Sequence, residues 1–193
     1  MPSELLHYLY TLIALSQSRA TNIPLFLLHG LQVLFLSSAD LQVPDLTISS
    51  LLLQHTSYFA FGGTNTISSV DLSSAYNGVS DFNVLAVGAL TFVSNWAAPI
   101  YFTSATTGLL LRARQKHGGE NVFAWHVAML TTFVVWSMLF VMVACTVLRT
   151  HLFVWTVFSP KYLYCMAWSL GQHLGVNVGI GGFLYWVGTK ATG

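Results

Sequence analysis

An all-α polytopic transmembrane helical bundle, with about four spans and a lumenal re-entrant loop, is the fold class this sequence predicts. Two observations carry that prediction. Only 7% of the 193 residues are charged while 54% are hydrophobic, where soluble domains carry about 25% charged residues. The apolar residues also run on without interruption over whole helix lengths, where the strands of a membrane barrel would alternate polar and apolar. The same scarcity of charge excludes a disordered chain and a nucleic-acid binder, which would need a basic face.

The elements follow in chain order. A bilayer core of about 30 Å needs roughly 20 apolar residues of helix. Leu5 to Leu15 is too short to span, so it reads as an interfacial helix or as the tail of a span that begins upstream. It follows Glu4 rather than a basic region, which argues against a signal peptide. The first expected span is 20–39, with Pro24 tolerated in its first turn and Asn22, His29 and Gln32 within it. Residues 40–83 differ in character, with Gly62, Gly63, Gly78, many hydroxyls and the aspartates Asp40, Asp45, Asp71 and Asp81. This stretch is expected to be the lumenal or re-entrant loop. Leu46 to Phe61 inside it is apolar but broken by Gln54 and His55, which suggests a re-entrant or interfacial helix. Three further spans are expected at 84–111, 122–148 and 163–189.

Charge gives an orientation. If those four segments span, Arg19, Arg112, Arg114, Lys116 and Lys190 share one side with Glu4 and Glu120. Arg149 and Lys161 share the other with the four aspartates. The lysine and arginine majority makes the first side cytosolic and leaves the 40–83 loop lumenal.

The densest polar patch runs from His55 to Gly78. His55, Gly62, Gly63, Asn65, Asp71 and Asn77 are its candidate lipid-headgroup-binding residues, because amides, hydroxyls and Gly-rich backbone can hydrogen-bond a phosphate or a sugar. The same residue types also cap helices and close turns, and Asp71 could cap a helix from Leu72. No catalytic residue is assigned. His55, Ser57 and Asp71 make a triad on paper only, without a nucleophile elbow. No His-x-His, His-Glu-x-x-His or Cys-x-x-Cys pattern offers a metal site, and Cys145 and Cys165 both lie in apolar runs. Ala167, Gly171, Gly175 and Gly179 recur every four residues as a helix-packing stripe. His173 and Asn177 suit hydrogen bonds between helices within the membrane, and His126 suits the interface. Arg112, Arg114 and Lys116 read as a solvated topology signal near anionic headgroups. The aromatic segment 151–164 suits an interfacial belt with a snorkelling Lys161, and Pro160 separates it from the last helix.

Two stretches carry a resemblance. One is Gln54-His-Thr-Ser-Tyr-Phe-Ala-Phe-Gly-Gly-Thr-Asn-Thr-Ile-Ser-Ser-Val-Asp-Leu-Ser-Ser-Ala-Tyr-Asn-Gly78, and the other is His151-Leu-Phe-Val-Trp-Thr-Val-Phe-Ser-Pro-Lys-Tyr-Leu-Tyr164. From about Ile23 onward the chain resembles the C-terminal membrane region of the GPI ethanolamine phosphate transferases, in particular the fungal form that modifies the second mannose of the GPI precursor. The resemblance implies a multi-pass protein of the endoplasmic reticulum membrane. It implies membrane lipids as partners, phosphatidylethanolamine and the GPI precursor among them, together with a small PIG-F-type membrane subunit and no nucleic acid. It also implies that the metal, expected to be zinc, and the threonine nucleophile belong to an alkaline-phosphatase-like N-terminal domain that these residues do not contain. No cofactor is therefore expected in this chain. A longer parent protein, with an open reading frame upstream of Met1, follows as an expectation. The alternative is a free-standing lipid-binding or assembly subunit. A small transporter fits less well, since there is no internal repeat and no charge at mid-span.

Overall fold

The computed structural model describes residues 2–17, 20–63, 70, 72, 83–119, 121–151, 156 and 159–192. Among them there are helices and turns and no strand. Helix α1 is Pro2–Gln17, and α2 is Ile23–Ser38 with Pro24 in its first turn. Helix α3 is Val43–Ala60, with Pro44 and Asp45 at its start. Helix α4, Val84–Asn95, is capped by the Asn83 carbonyl oxygen, which accepts from the backbone N–H groups of Leu85 and Ala86 at 3.0 and 3.2 Å. Helix α5 is Ala97–His117 and α6 is Val122–Val147. The last rod joins α7 (Ser159–Ala167), a wide-turn π segment (Trp168–Ile180) and α8 (Gly181–Thr192). Ala167 and Gly181 keep helical dihedrals, so the backbone stays helical across both joints.

Helix α5 is the hub. It is buried from Ala97 through Thr107 and again at Leu110 and Leu111. Small residues at Ala97, Ala98, Ser104 and Ala105 let its neighbours approach closely. Helix α3 lies antiparallel along it, with Leu46 clustered with Leu110, Ser50 against Thr106 and Tyr58 against Trp96. Helix α8 runs parallel to α5. Gly181 sits beside Thr103 and Thr107, and a Cβ on Gly188 would run into Leu111 Cδ1. Helix α6 starts at the Leu110 end, where Val122 packs on Leu46.

The polarity is inverted relative to a soluble core. On α3 the buried residues Thr47, Ser50, Gln54 and Ser57 form a polar stripe at helical spacing, while Ile48, Leu52 and Phe59 are exposed. On α2 and α6 the exposed residues include Leu31, Leu34, Phe35, Val135, Leu139 and Phe140. Apolar-out and polar-in suits a hydrocarbon solvent.

The structure corrects three expectations. The segment 84–111 is not one straight helix, since α4 and α5 meet at 72°. Pro99 explains the break, because it has no N–H to give the carbonyl of Asn95, four residues back, and its ring clashes there. The segment 40–83 is not a loop throughout. Its residues 43–60 form an 18-residue helix, about 27 Å long at 1.5 Å per residue, packed along α5. Gln54, one of the two polar residues within it, belongs to its inward face, and His55 beside it is half-buried. Asp40 also lies beside Lys116, the two joined at 2.6 Å, so the charge count that set them on opposite sides fails for Asp40. Among the described residues, α6 is long and apolar enough to cross a membrane alone, and α4 with α5 is so only as a bent pair. At 16 residues α2 is shorter than the span expected at 20–39.

Candidate functional site: a polar core between an aromatic end and a basic end

Three helices meet in a closed hydrogen-bond network. Gln54 of α3 donates from Nε2 to Ser50 Oγ at 3.1 Å, and Thr106 of α5 donates to the same oxygen at 2.9 Å. Gln54 Oε1 accepts from Gln172 Nε2 and from Asn177 Nδ2 of the π segment, both at 3.2 Å. Thr103 Oγ1 accepts from Gln172 at 3.2 Å and donates to Asn177 Oδ1 at 2.6 Å. All six residues are at most 4% exposed. Gln172 Oε1 is buried with no partner among the described residues. The wide turns of the π segment accompany this network, and such turns recur where a helix carries a function.

Two histidines extend the polar core toward α6. Thr47 spends its one hydroxyl proton on Val43 O at 2.7 Å, so at 2.9 Å it accepts from Nδ1–H of His126. Thr131 likewise donates to Val127 O at 2.8 Å and accepts from Nε2–H of His173 at 2.9 Å. The opposite nitrogen of His173 is buried without a partner. The core is built from neutral groups. It can hold helices in register or grip hydrogen-bonding atoms of a ligand. Among the described residues no three of His, Cys, Asp and Glu gather as metal ligands.

At the N-terminal end of α5 the core opens into an aromatic cluster. Tyr58, Trp96, Tyr164 and Trp168 pack together, with Phe92 stacked on Trp96 at 4.9 Å between centroids. The Trp96 indole N–H and the Tyr164 hydroxyl are buried without a partner among the described residues. Of the candidate headgroup residues, His55 lies on α3, its ring 4.2 Å from Trp168 and its Nδ1–H donating to Leu51 O at 2.9 Å. Gly62 ends α3 at a φ of 87°, a left-handed conformation that suits glycine. A Cβ on Gly63 would sit 2.5 Å from Cε1 of Tyr58. Both glycines therefore have a folding role. Asn65, Asp71 and Asn77 lie outside the described residues.

The glycine stripe divides. A Cβ on Gly171 would lie 2.6 Å from the Phe92 ring, so that glycine serves a close contact. Gly175 and Gly179 are exposed, and added Cβ atoms would meet only carbonyls of their own helix, at 3.5 and 3.4 Å. Ala167 is half-buried beside the aromatic cluster. The tight contact between α5 and α8 falls at Gly188, outside the four-residue pattern. Sequence reasoning also missed Ser50, Thr103, Thr106 and Gln172 as a site. The available signal was polar residues at helical spacing inside apolar runs.

The C-terminal end of α5 is basic. Asp40 accepts from Lys116 and lies 3.6 Å from His117 Nε2. The Lys116 hydrogen bond holds the Asp40 carboxyl below its ordinary range. Arg112 donates to Ser37 Oγ at 2.7 Å, and Arg114 lies over the Tyr185 ring, 6.0 Å from its centroid.

Comparison with known proteins gives a consistent result. A family model for the GPI ethanolamine phosphate transferase membrane region matches residues 1–190. The GPI ethanolamine phosphate transferase 2 of Aspergillus oryzae is 51% identical over 177 residues, which cover 92% of this chain and 20% of that relative. Its counterpart in Yarrowia lipolytica is 36% identical over 210 residues, with 90% of this chain and 24% of the relative covered. The Saccharomyces cerevisiae counterpart is 40% identical over 132 residues, with 62% and 15% covered. The chain thus spans about a fifth of the length of the curated relatives it matches. No solved structure matches.

Proposed function

Since this chain belongs to the GPI ethanolamine phosphate transferase family, within the membrane region of those enzymes, we propose that it is the membrane module of a phosphoethanolamine transferase in GPI-anchor biosynthesis. In this reading it is non-catalytic by itself. It holds or positions lipid substrate, phosphatidylethanolamine or the GPI precursor, for transfer to the second mannose in the endoplasmic reticulum membrane. One observation carries the reading: the bundle buries the polar groups of Gln54, Thr103, Gln172 and Asn177 and exposes large apolar side chains such as Leu31, Leu34, Leu139 and Phe140. A bilayer module needs that arrangement, and its polar interior leads to buried donors on Trp96 and Tyr164.

The orientation supports the same end. Arg112, Arg114 and Lys116 gather at one end of α5, and α8 carries Lys190 in the same direction. With Asp40 at the basic end, Arg19 before α2 counts by chain order with Arg149 and Lys161, so the lysine and arginine majority narrows to four against three and still makes the basic end cytosolic. The aromatic end is then lumenal, where a headgroup would meet the catalytic domain of the parent enzyme. The metal belongs to that domain in this reading. The expected multi-pass topology of about four spans and the small PIG-F-type subunit are part of the proposal.

The test uses cells that lack their own gene and carry the full-length enzyme. Tyr164→Phe keeps the ring and removes the unpaired hydroxyl. GPI precursors lacking phosphoethanolamine on the second mannose should accumulate while the abundance of the protein stays the same. Full modification by this variant would refute substrate positioning at the aromatic end. The purified chain alone should transfer no phosphoethanolamine, and measurable turnover would overturn its non-catalytic assignment.

A further inference from the structure

We propose that the cleft between α1, α2, α5 and α8 is a resident phospholipid site, with an acyl chain in the cleft and the phosphate at Arg112. It lies at the basic end, away from the aromatic cluster, and does not depend on the substrate reading. The cleft encloses about 540 Å³ and is walled by Val33, Leu34, Tyr101, Ala105 and Leu184. That volume lies within the range of ligand cavities. Along α5 it extends from Tyr101 to Arg112, about 16 Å by helical rise. A second cavity of about 260 Å³ adjoins it, lined by Ser37, Ser38, Arg112, Lys116, His117 and Asp40 together with four leucines and Ala113. Arg112, Ser37 and Leu109 line both cavities. A mostly apolar slot that opens past a guanidinium into a cavity edged by charged side chains has the layout of a glycerophospholipid, acyl chain first and phosphodiester next. Guanidinium groups match phosphate oxygens in two-pronged geometry. A packed helix would complement the slot but would leave the charged cavity unmatched.

Gly108 supplies a second argument. It lies in the middle of α5, where glycine costs helix stability. Gly63, Gly171 and Gly188 sit under close contacts, whereas a Cβ on Gly108, like one on Gly88, would meet nothing within 4 Å. No neighbouring helix requires glycine there, and its absent side chain widens the cleft. On the facing α2, Gly30 also lines the cleft, and its nearest obstacle is the Tyr101 hydroxyl at 3.9 Å.

The experiment places the full-length protein in nanodiscs of phosphatidylcholine doped with one of three photoreactive probes. The probes carry a diazirine on an acyl chain and are phosphatidylcholine, phosphatidylserine and diacylglycerol. Labelled peptides are mapped by mass spectrometry. Both phospholipids should label the α2 and α5 peptides around Gly30 and Gly108. Gly108→Phe should cut that labelling about tenfold, the order expected from filling a ligand pocket, while labelling of the outer face of α6 and the melting temperature hold. Gly30→Val repeats the test from the other wall if Gly108→Phe does not fold. Arg112→Gln should reduce phospholipid labelling, with partial rescue by Arg112→Lys. Equal labelling by the two phospholipids assigns recognition to the phosphodiester, and a phosphatidylserine preference adds net charge to it; each supports the site. Equal or stronger labelling by diacylglycerol overturns phosphate recognition. Unlabelled cleft peptides beside a labelled α6 overturn the site, because another part of the protein then fills the cleft.

Discussion

Gln54 shows how single residues hold this bundle together. Its carbonyl oxygen accepts from two amides on another helix, and its own amide donates to Ser50. Gln54→Leu removes that acceptor and strands the buried N–H groups of Gln172 and Asn177. A buried group left unpaired costs about 1–3 kcal/mol, and two share this one acceptor. The variant should melt well below the native chain in detergent, and Thr106→Val, which removes a single donor, should lose less. Equal losses would refute Gln54 as the hub. Asp40 tests charge alone. Its φ of 30° lies in the left-handed region, which asparagine also tolerates, so Asp40→Asn keeps the backbone and deletes the ion pair with Lys116. The carboxyl titrates lower in the fold than in the unfolded chain because Lys116 donates to it. Its contribution is therefore present above the unfolded carboxylate range and fades as pH falls through the folded value. The pair is exposed, so the effect is small. Melting curves of the two chains should differ slightly at neutral pH and merge in acid; a gap that persists in acid would assign the loss to something other than charge.

Elements were legible where one physical signal decided them, and misread where two signals competed. The uncharged run of α6 has only hydrophobic length to weigh, and the structure returns it as Val122–Val147 against an expected 122–148. The 84–111 run has the same apolar length, but Pro99 removes one backbone donor and breaks it at Trp96. In α3, Ser50, Gln54 and Ser57 look like loop chemistry when read along the chain. Read at helical spacing they form one buried face. Among the candidate headgroup residues from His55 to Asn77, the two glycines, Gly62 and Gly63, close the end of α3. The glycine stripe shows a related point: spacing identifies a face but not what faces it. Gly188→Leu, forced against the buried Leu111, should cost about 1–3 kcal/mol by overpacking. Gly175→Leu points outward and should stay within about 0.5 kcal/mol of the native chain. Chemical unfolding of the two variants measures the contrast, and an equal loss would mean that Gly175 packs inside the bundle after all.

For the whole molecule, the composition alone made a membrane protein legible, because so few charges cannot clothe a water-facing surface of this size. The relative direction of the helices needed the structure. Thr47 against His126, Ser50 against Thr106 and Tyr58 against Trp96 order α3, α5 and α6 along one axis. Arg112, Arg114 and Lys116 then mark one pole, and the turn after α6, which holds Arg149 and His151, marks the other. Those poles make orientation measurable. In a background with Cys145 and Cys165 changed to serine, Gln115→Cys places a thiol at the exposed basic pole, and His151→Cys places one at the other. Sealed endoplasmic-reticulum microsomes expose the cytosolic face outward. A membrane-impermeant maleimide should label Gln115→Cys directly and His151→Cys only after the membrane is opened. The reverse pattern would put the aromatic end in the cytosol, away from a lumenal transferase domain, and would sink substrate positioning there while leaving the phospholipid cleft untouched. Labelling of both without permeabilisation would mean that the two poles share one side and that α5 and α6 do not cross the bilayer.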